Sequence, residues 1–276
     1  PGSLLLDDVE KVTEADVRGW SLQFGQVDLV LLGAGPPCQG VSGLNASRRG
    51  ALLDERSSLF IHVQRIKELL RKHFPWCPVQ VIMESVASMD NSDQQVMSDS
   101  FGDAPWRIDA DQMTWCRRPR LYWVTWQIST GPGVSIEDQV VTLSANVELE
   151  EFISPGSTKV NPDRAFPTFT TSRPRAAPGH RPAGINHCDP NTVQRWKDDC
   201  HRYPPYQYLP DNCLQNRLGE LRLPNIDEKE LMMGMPLGYT NPCYPKTQRK
   251  SQEHLDMRHT LVGNAWCVPV VSWLLG

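Results

Sequence analysis

Two short runs rich in Val, Leu and Ile, residues 26–32 and 79–83, flank an amphipathic segment. A run of that kind reads as a strand covered on both faces. The first enters Gly33-Ala34-Gly35-Pro36-Pro37, a sharp turn signal, and the loop that follows carries Cys38. Between the runs, Leu59, Phe60, Val63, Ile66, Leu69 and Leu70 recur at three- and four-residue spacings over 56–74. Arg65, Lys67, Glu68, Arg71 and Lys72 take the other side, and Pro75 ends the pattern. That spacing predicts an amphipathic helix.

The order strand, helix, strand then repeats. The second run ends at Glu84-Ser85-Val86, a polar helix is expected over 92–101, and strands over 106–110 and 121–127 flank Arg117-Arg118-Pro119-Arg120. Such alternation implies an α/β domain with a largely parallel sheet, whose ligands sit at the carboxyl ends of the strands. Cys38 and Glu84 each follow an expected strand directly, so both belong on that edge. From 129 to 225 Pro and Gly rise and periodicity fades, which predicts a smaller, loop-rich lobe. The apolar stretch 260–275 is too hydrophobic for a tail. The expected organisation is a main lobe over 1–128, the small lobe over 129–225, and a segment over 226–276 that returns to the main core.

A chain of 276 residues with 39% hydrophobic composition can bury a large core. Its net charge of -4 carries no global signature of nucleic-acid binding, so any phosphate contacts must be local. One local candidate is the segment 164–181, where Arg164, Arg173, Arg175 and Arg181 alternate with Phe166, Phe169 and hydroxyl residues. It suits either a DNA groove or an ordinary solvated loop. No apolar run approaches the roughly 20 residues that cross a bilayer, and no signal-peptide pattern opens the chain, so an intracellular, soluble protein is expected. Eight cysteines without a C-x-x-C pair read as reduced thiols. The spacings of His187, Cys188, Cys200, His201 and Cys213 match no usual structural zinc pattern, and no metal is expected.

Pro36-Pro37-Cys38-Gln39, Glu84-Ser85-Val86, Arg118-Pro119-Arg120 and Gly263-Asn264-Ala265 resemble, in order and spacing, the motifs of the DNA cytosine-5 methyltransferases. Within that family the likeness is closest to the eukaryotic de novo enzymes. It runs through residues 44–50, Ser85-Val86-Ala87-Ser88-Met89, Ile108-Asp109-Ala110, 118–123 and Gly234-Met235-Pro236-Leu237-Gly238-Tyr239-Thr240. The resemblance spans nearly the whole chain and is weakest from about 130 to 225. It implies a Rossmann-like S-adenosylmethionine-dependent methyltransferase sheet with a target-recognition lobe over 129–225, and it implies double-stranded DNA as partner. A eukaryotic member would be nuclear. The oligomeric state stays open.

The resemblance also assigns roles. Cys38 is the thiolate that adds to carbon 6 of cytosine, which suits a residue that is strongly nucleophilic and can leave again. A free thiol ionises only near pH 8.5, so Cys38 needs a positive or hydrogen-bonding setting. Glu84 contacts N3 and the exocyclic amino group, and must carry a proton to donate to N3. Arg120, supported by Arg118, holds the O2 edge. Asp8 and Val9 match the contact to the cofactor's adenine, while Asn264, Ala265 and Trp266 match the segment that closes over the cofactor. The target carbon is inaccessible in a stacked duplex, which implies base flipping.

Three departures from the family stand out. Ser85 replaces the usual Asn, Cys116 replaces a usual Gln, and the glycine-rich cofactor loop and the ribose-binding acid do not occur. The expectation is therefore a part of a longer product, with cofactor binding weakened in this piece alone. The competing readings are a silent DNA-binding paralogue, the tRNA-acting branch and a thiol hydrolase. Against them stand the retained Pro-Pro-Cys, the lack of a Cys-Phe-Thr segment, and the lack of any supporting residue around a Cys–His pair.

Overall fold

The computed structural model describes residues 8–36, 59–128, 147–171, 184–243 and 251–276. They fall into two compact units, Pro1–Ile108 with Pro119–Ser129, and Asp109–Arg118 with Thr130–Gly276.

The first unit opens with helix α1 (Glu14–Phe24), which starts at a reciprocal cap: Thr13 accepts from the Asp16 amide and Asp16 accepts from the Thr13 amide. Strand β1 (Val30–Ala34), helix α2 (Phe60–His73), strand β2 (Val79–Val86), helix α3 (Asn91–Phe101) and strands β3 (Trp106–Asp109) and β4 (Pro119–Val124) follow. The strands form one sheet in the order β1-β2-β4-β3. Val81, Met83, Leu121 and Trp123 pack with Phe60 and Val63 of α2 and with Met97 and Phe101 of α3. A second cluster joins Val12 and Val17 to Ile66, Leu70, Phe74 and Val79. Each such side chain contributes about 1.5–3 kcal/mol when buried. Exposed ion pairs such as Lys72–Glu14 (2.6 Å) are screened by water and add little, so the two clusters hold the sheet together.

Several expectations need correction. The sheet is mixed: β1 and β2 are parallel, but β2 and β4 are antiparallel. The link from β3 to β4 spans only 110–118, too short for the dozen or more residues of a helical crossover. β1 starts later than expected and is not covered on both faces. It is the edge of the described sheet, and Leu31 is 44% exposed. β2 does not stop before Glu84 but runs on to Val86, because β4 extends the ladder to the pair Val86–Arg120. Lys67, expected on the solvent side of α2, is buried with its ammonium over the Phe101 ring.

The second unit is built differently. Two-residue strands β5 (Thr158–Lys159), β6 (Leu214–Gln215) and β7 (Leu221–Arg222) form an antiparallel sheet. Helices α4 (Pro190–Asp198), α5 (Ile226–Met232), α6 (Gln252–Asn264) and α7 (Val268–Leu275) complete its regular structure. Much of the order comes from carboxylates. Glu228, in the cap Asn225-x-x-Glu228, accepts from the Ser154 amide (2.9 Å) and hydroxyl (2.8 Å) and pairs with Arg222 at 2.7 Å. Glu230 is fully buried and accepts from the amides of Gly238 (2.7 Å) and Thr240 (2.9 Å), from the Thr240 hydroxyl, and from Arg258 (2.9 Å).

Candidate active site

The β2–β4 register sets Glu84 opposite Tyr122 and Val86 opposite Arg120. Side chains two apart share a face of a strand, so Glu84 and Arg120 are diagonal neighbours across the ladder. They form an ion pair, Arg120 Nε to Glu84 Oε1, at 2.5 Å, with side chains only 11% and 12% exposed. The Arg120 guanidinium also donates to the Pro119 carbonyl (2.9 Å). The parallel β1–β2 register aligns Ala34 with Met83, so the chain leaves β1 one position along, level with Glu84. A carboxyl and a guanidinium, largely withdrawn from water at the carboxyl end of a parallel pair, can exchange a proton with a heteroaromatic ring and hold its carbonyl oxygen.

Arg118, two residues earlier, belongs to the second unit. Its amide donates to Asp109 Oδ1 (2.6 Å), and its buried guanidinium donates to the carbonyl of Gly263 (3.1 Å). Arg118 thus holds the end of α6, where Asn264 is exposed and Ala265 and Trp266 are half-buried. Gly263 is a glycine for a steric reason: a Cβ there would lie 2.6 Å from the Thr171 amide nitrogen and 2.9 Å from the Thr170 carbonyl carbon. Gly263→Ala should therefore lower the unfolding free energy in urea by about 1–3 kcal/mol, the usual cost of overpacking, despite alanine's better helix propensity. Equal or greater stability would show that the 170–171 backbone gives way freely.

Asp8 and Val9 sit at the start of a short turn, Val9–Lys11, which Asp8 caps by accepting from the Glu10 amide at 3.0 Å. Arg65 of α2 fixes that turn by donating to the carbonyls of Val9 (2.9 Å), Glu10 (3.4 Å) and Val12. Sequence reasoning missed Arg65 because its partners are backbone groups far along the chain. Among the described residues the second oxygen of Asp8 meets the solvated ammonium of Lys11 (3.5 Å), and Val9 is 38% exposed. The pair offers a hydrogen-bond acceptor and an apolar surface, which suit the amino edge and the face of a purine.

Cys38, Arg173, Arg175 and Arg181 lie outside the described residues. Arg164 is exposed, whereas Phe166 and Phe169 of the same segment are buried and anchor it to the core. Cys116 is bridged to Phe166, and burial pushes its thiol up to about 12. Burial likewise pushes Cys213 and Cys267 up to about 11. These three thiols stay protonated and unreactive at neutral pH. Among the described residues no group of His, Cys, Asp and Glu is arranged to hold a metal ion.

No protein-family model matches the chain. Among the solved structures similar in fold are two methyltransferases. One is the Dnmt2 methyltransferase of S. pombe, with a TM-score of 0.50 and 15% identity over 97% of this chain and 80% of that one. The other is the Entamoeba histolytica methyltransferase EhMeth, with a TM-score of 0.54 and 12% identity over 99% of this chain and 82% of that one. The architecture is a Rossmann-like α/β fold, similar to that of these two methyltransferases.

Proposed function

We propose that this protein transfers a methyl group from S-adenosylmethionine to carbon 5 of cytosine in double-stranded DNA through a covalent adduct with Cys38. The observation that carries this reading is the Glu84–Arg120 pair, set at a strand end of a methyltransferase-type sheet, level with the point where the chain leaves β1 toward Cys38.

Each residue then has a task that its chemistry can meet. The Cys38 thiolate adds to carbon 6 of a flipped cytosine while Glu84, protonated in the complex, gives its proton to N3, so electron density collects at carbon 5 instead of as charge on the ring. Arg120 donates to O2 and keeps the carboxyl group of Glu84 in place. When bound, S-adenosylmethionine supplies an electrophilic methyl group. Asp8 and Val9 would hold its adenine, and Asn264, Ala265 and Trp266 the closing side. Transfer of the carbon 5 proton to a solvent water, return of the N3 proton to Glu84 and departure of the Cys38 thiolate restore the aromatic base. Arg118 acts at a distance as a positioning residue, through Gly263. Arg164, Arg173, Arg175 and Arg181 supply local positive charge for phosphates in a chain that is acidic overall.

Duplex DNA containing 5-fluorocytosine tests the reading, because fluorine at carbon 5 blocks the final proton loss. With S-adenosylmethionine present, a denaturation-resistant protein–DNA adduct is expected, and Cys38→Ala should abolish it. An adduct that survives this substitution, or that maps to another cysteine, would overturn the assignment.

A further inference from the structure

The second unit holds a cavity of about 560 Å³ that the methyl-transfer chemistry does not use. That volume lies within the usual range for small-molecule sites. Lys229, Tyr203 and His259 line it, and each is buried with an unmet polar need. Among the described residues Nδ1 of His259 has no hydrogen-bond partner, and the hydroxyl of Tyr203 has no acceptor for its proton. The Arg202 guanidinium beside Tyr203 is a further donor, not an acceptor. Lys229 is 2% exposed, and its ammonium lies over the rings of Tyr203 at 4.2 Å and Phe169 at 5.5 Å, with the acids Asp199 and Glu228 acting on it only through space and no ion pair among the described residues.

What the cavity lacks is an acceptor of negative charge. Its acids are already committed: Asp199 takes the Tyr208 hydroxyl (2.6 Å) and faces Arg202 (3.6 Å), and Asp198 takes the Gln194 amide (2.8 Å). Arg222 is neutralised by Glu228. Lys229 and Arg195 form no contact ion pair among the described residues: Arg195 spends its donors on the Tyr208 carbonyl and the Thr192 hydroxyl, and Asp189 and Asp199 act on the two cations only through space. Apart from Cys213 and Asn225 the remaining wall is apolar, formed by Leu221, Leu223, Pro224, Ile226 and Leu255.

We propose that this cavity binds a small organic anion, a carboxylate or phosphate monoester with a flat apolar body, whose acidic group is taken by Nζ of Lys229 and Oη of Tyr203. Burial pulls the Lys229 ammonium down to about 7, and an anion beside it would favour the charged form. Burial, followed by the cations Lys229, Arg202 and Arg258, keeps His259 neutral, so its ring can accept or donate toward the ligand.

Benzoate and phenyl phosphate are suitable probes for calorimetric titration of the chain. Saturable binding is expected for at least one, and tighter than for inorganic phosphate, which lacks the apolar body. Lys229→Met should weaken it by about tenfold or more, the effect of one lost charge-assisted hydrogen bond. Tyr203→Phe should weaken it severalfold, and this variant decides the matter if Lys229→Met does not fold. No saturable binding of either probe would overturn the proposal, as would affinity unchanged in the folded variants. Displacement of the bound probe by a DNA duplex would also overturn it, by showing that the cavity serves the nucleic-acid backbone.

Discussion

Glu84→Gln is expected to lower the rate of the proposed cytosine methylation by about 10²- to 10⁴-fold, the range that a positioned proton donor supplies. Glutamine matches the length of glutamate and can keep the diagonal contact to Arg120, so the sheet is left intact. What it loses is an acid that can give N3 a full proton. The loss should fall on kcat, with DNA binding little changed, and adduct formation with 5-fluorocytosine DNA should slow in parallel. A variant with a rate within tenfold of the parent would show that the proton comes from elsewhere, and Glu84 would return to being a structural partner of Arg120.

Arg258→Met should destabilise the protein by about 3–5 kcal/mol, because it leaves the carboxylate of Glu230 buried without a countercharge. Arg258 spans two acids, Glu230 at 2.9 Å and Asp227 at 2.6 Å, but only Glu230 is sealed from water. Burial alone would raise the pKa of Glu230. Hydrogen bonds from Thr240 and Arg258 more than offset this and hold it below the usual carboxylate range. A folded-state pKa below the unfolded one stabilises the fold at pH above the unfolded value of about 4.3, and that stability is lost as pH falls through the folded value. The parent should therefore lose stability only in acid, and Arg258→Met should lose it at higher pH. Urea unfolding across a pH series would measure both effects. Stability equal to the parent's would mean that water reaches Glu230 when the guanidinium is gone.

How far the sequence could be read depended on which forces shaped each element. Helix α2 was legible because a 3.6-residue apolar stripe and Pro75 fix its face and its end. Helix α1 was not, since Val17 is its one buried residue and leaves no stripe; its only signal is the cap pair Thr13 and Asp16. The start of β2 was legible from Val79 onward, but its end was hidden, because Glu84-Ser85 looks like loop until β4 pairs with it. Motif order picked out Glu84 and Arg120 individually, whereas their contact is a product of register, which no local pattern encodes. Arg118 looked like a second site arginine, yet its guanidinium meets a carbonyl at the far end of the chain. The lining of the cavity around Lys229 comes from α4, β7, α5, α6 and the turns between them, and gathers residues with no common motif.

The excursion from Asp109 to Arg118 has a consequence for modularity. The chain leaves the first unit after Ile108, lends these residues to the second, and comes back at Pro119 to lay down the strand that bears Arg120. Within the second unit the borrowed segment is well tied: Thr114 donates to the Met232 carbonyl (2.6 Å), Trp115 to that of Val147 (2.9 Å), and the Arg117 amide to that of Phe166 (2.8 Å). No single cut of the polypeptide therefore separates the two units whole. A recombination joint near residue 129 would strip the second unit of its Thr114, Trp115 and Arg118 anchors, and a joint near 108 would strip the first of β4. As one contiguous piece, the second unit can be exchanged only together with the strand that carries Arg120, half of the Glu84–Arg120 pair.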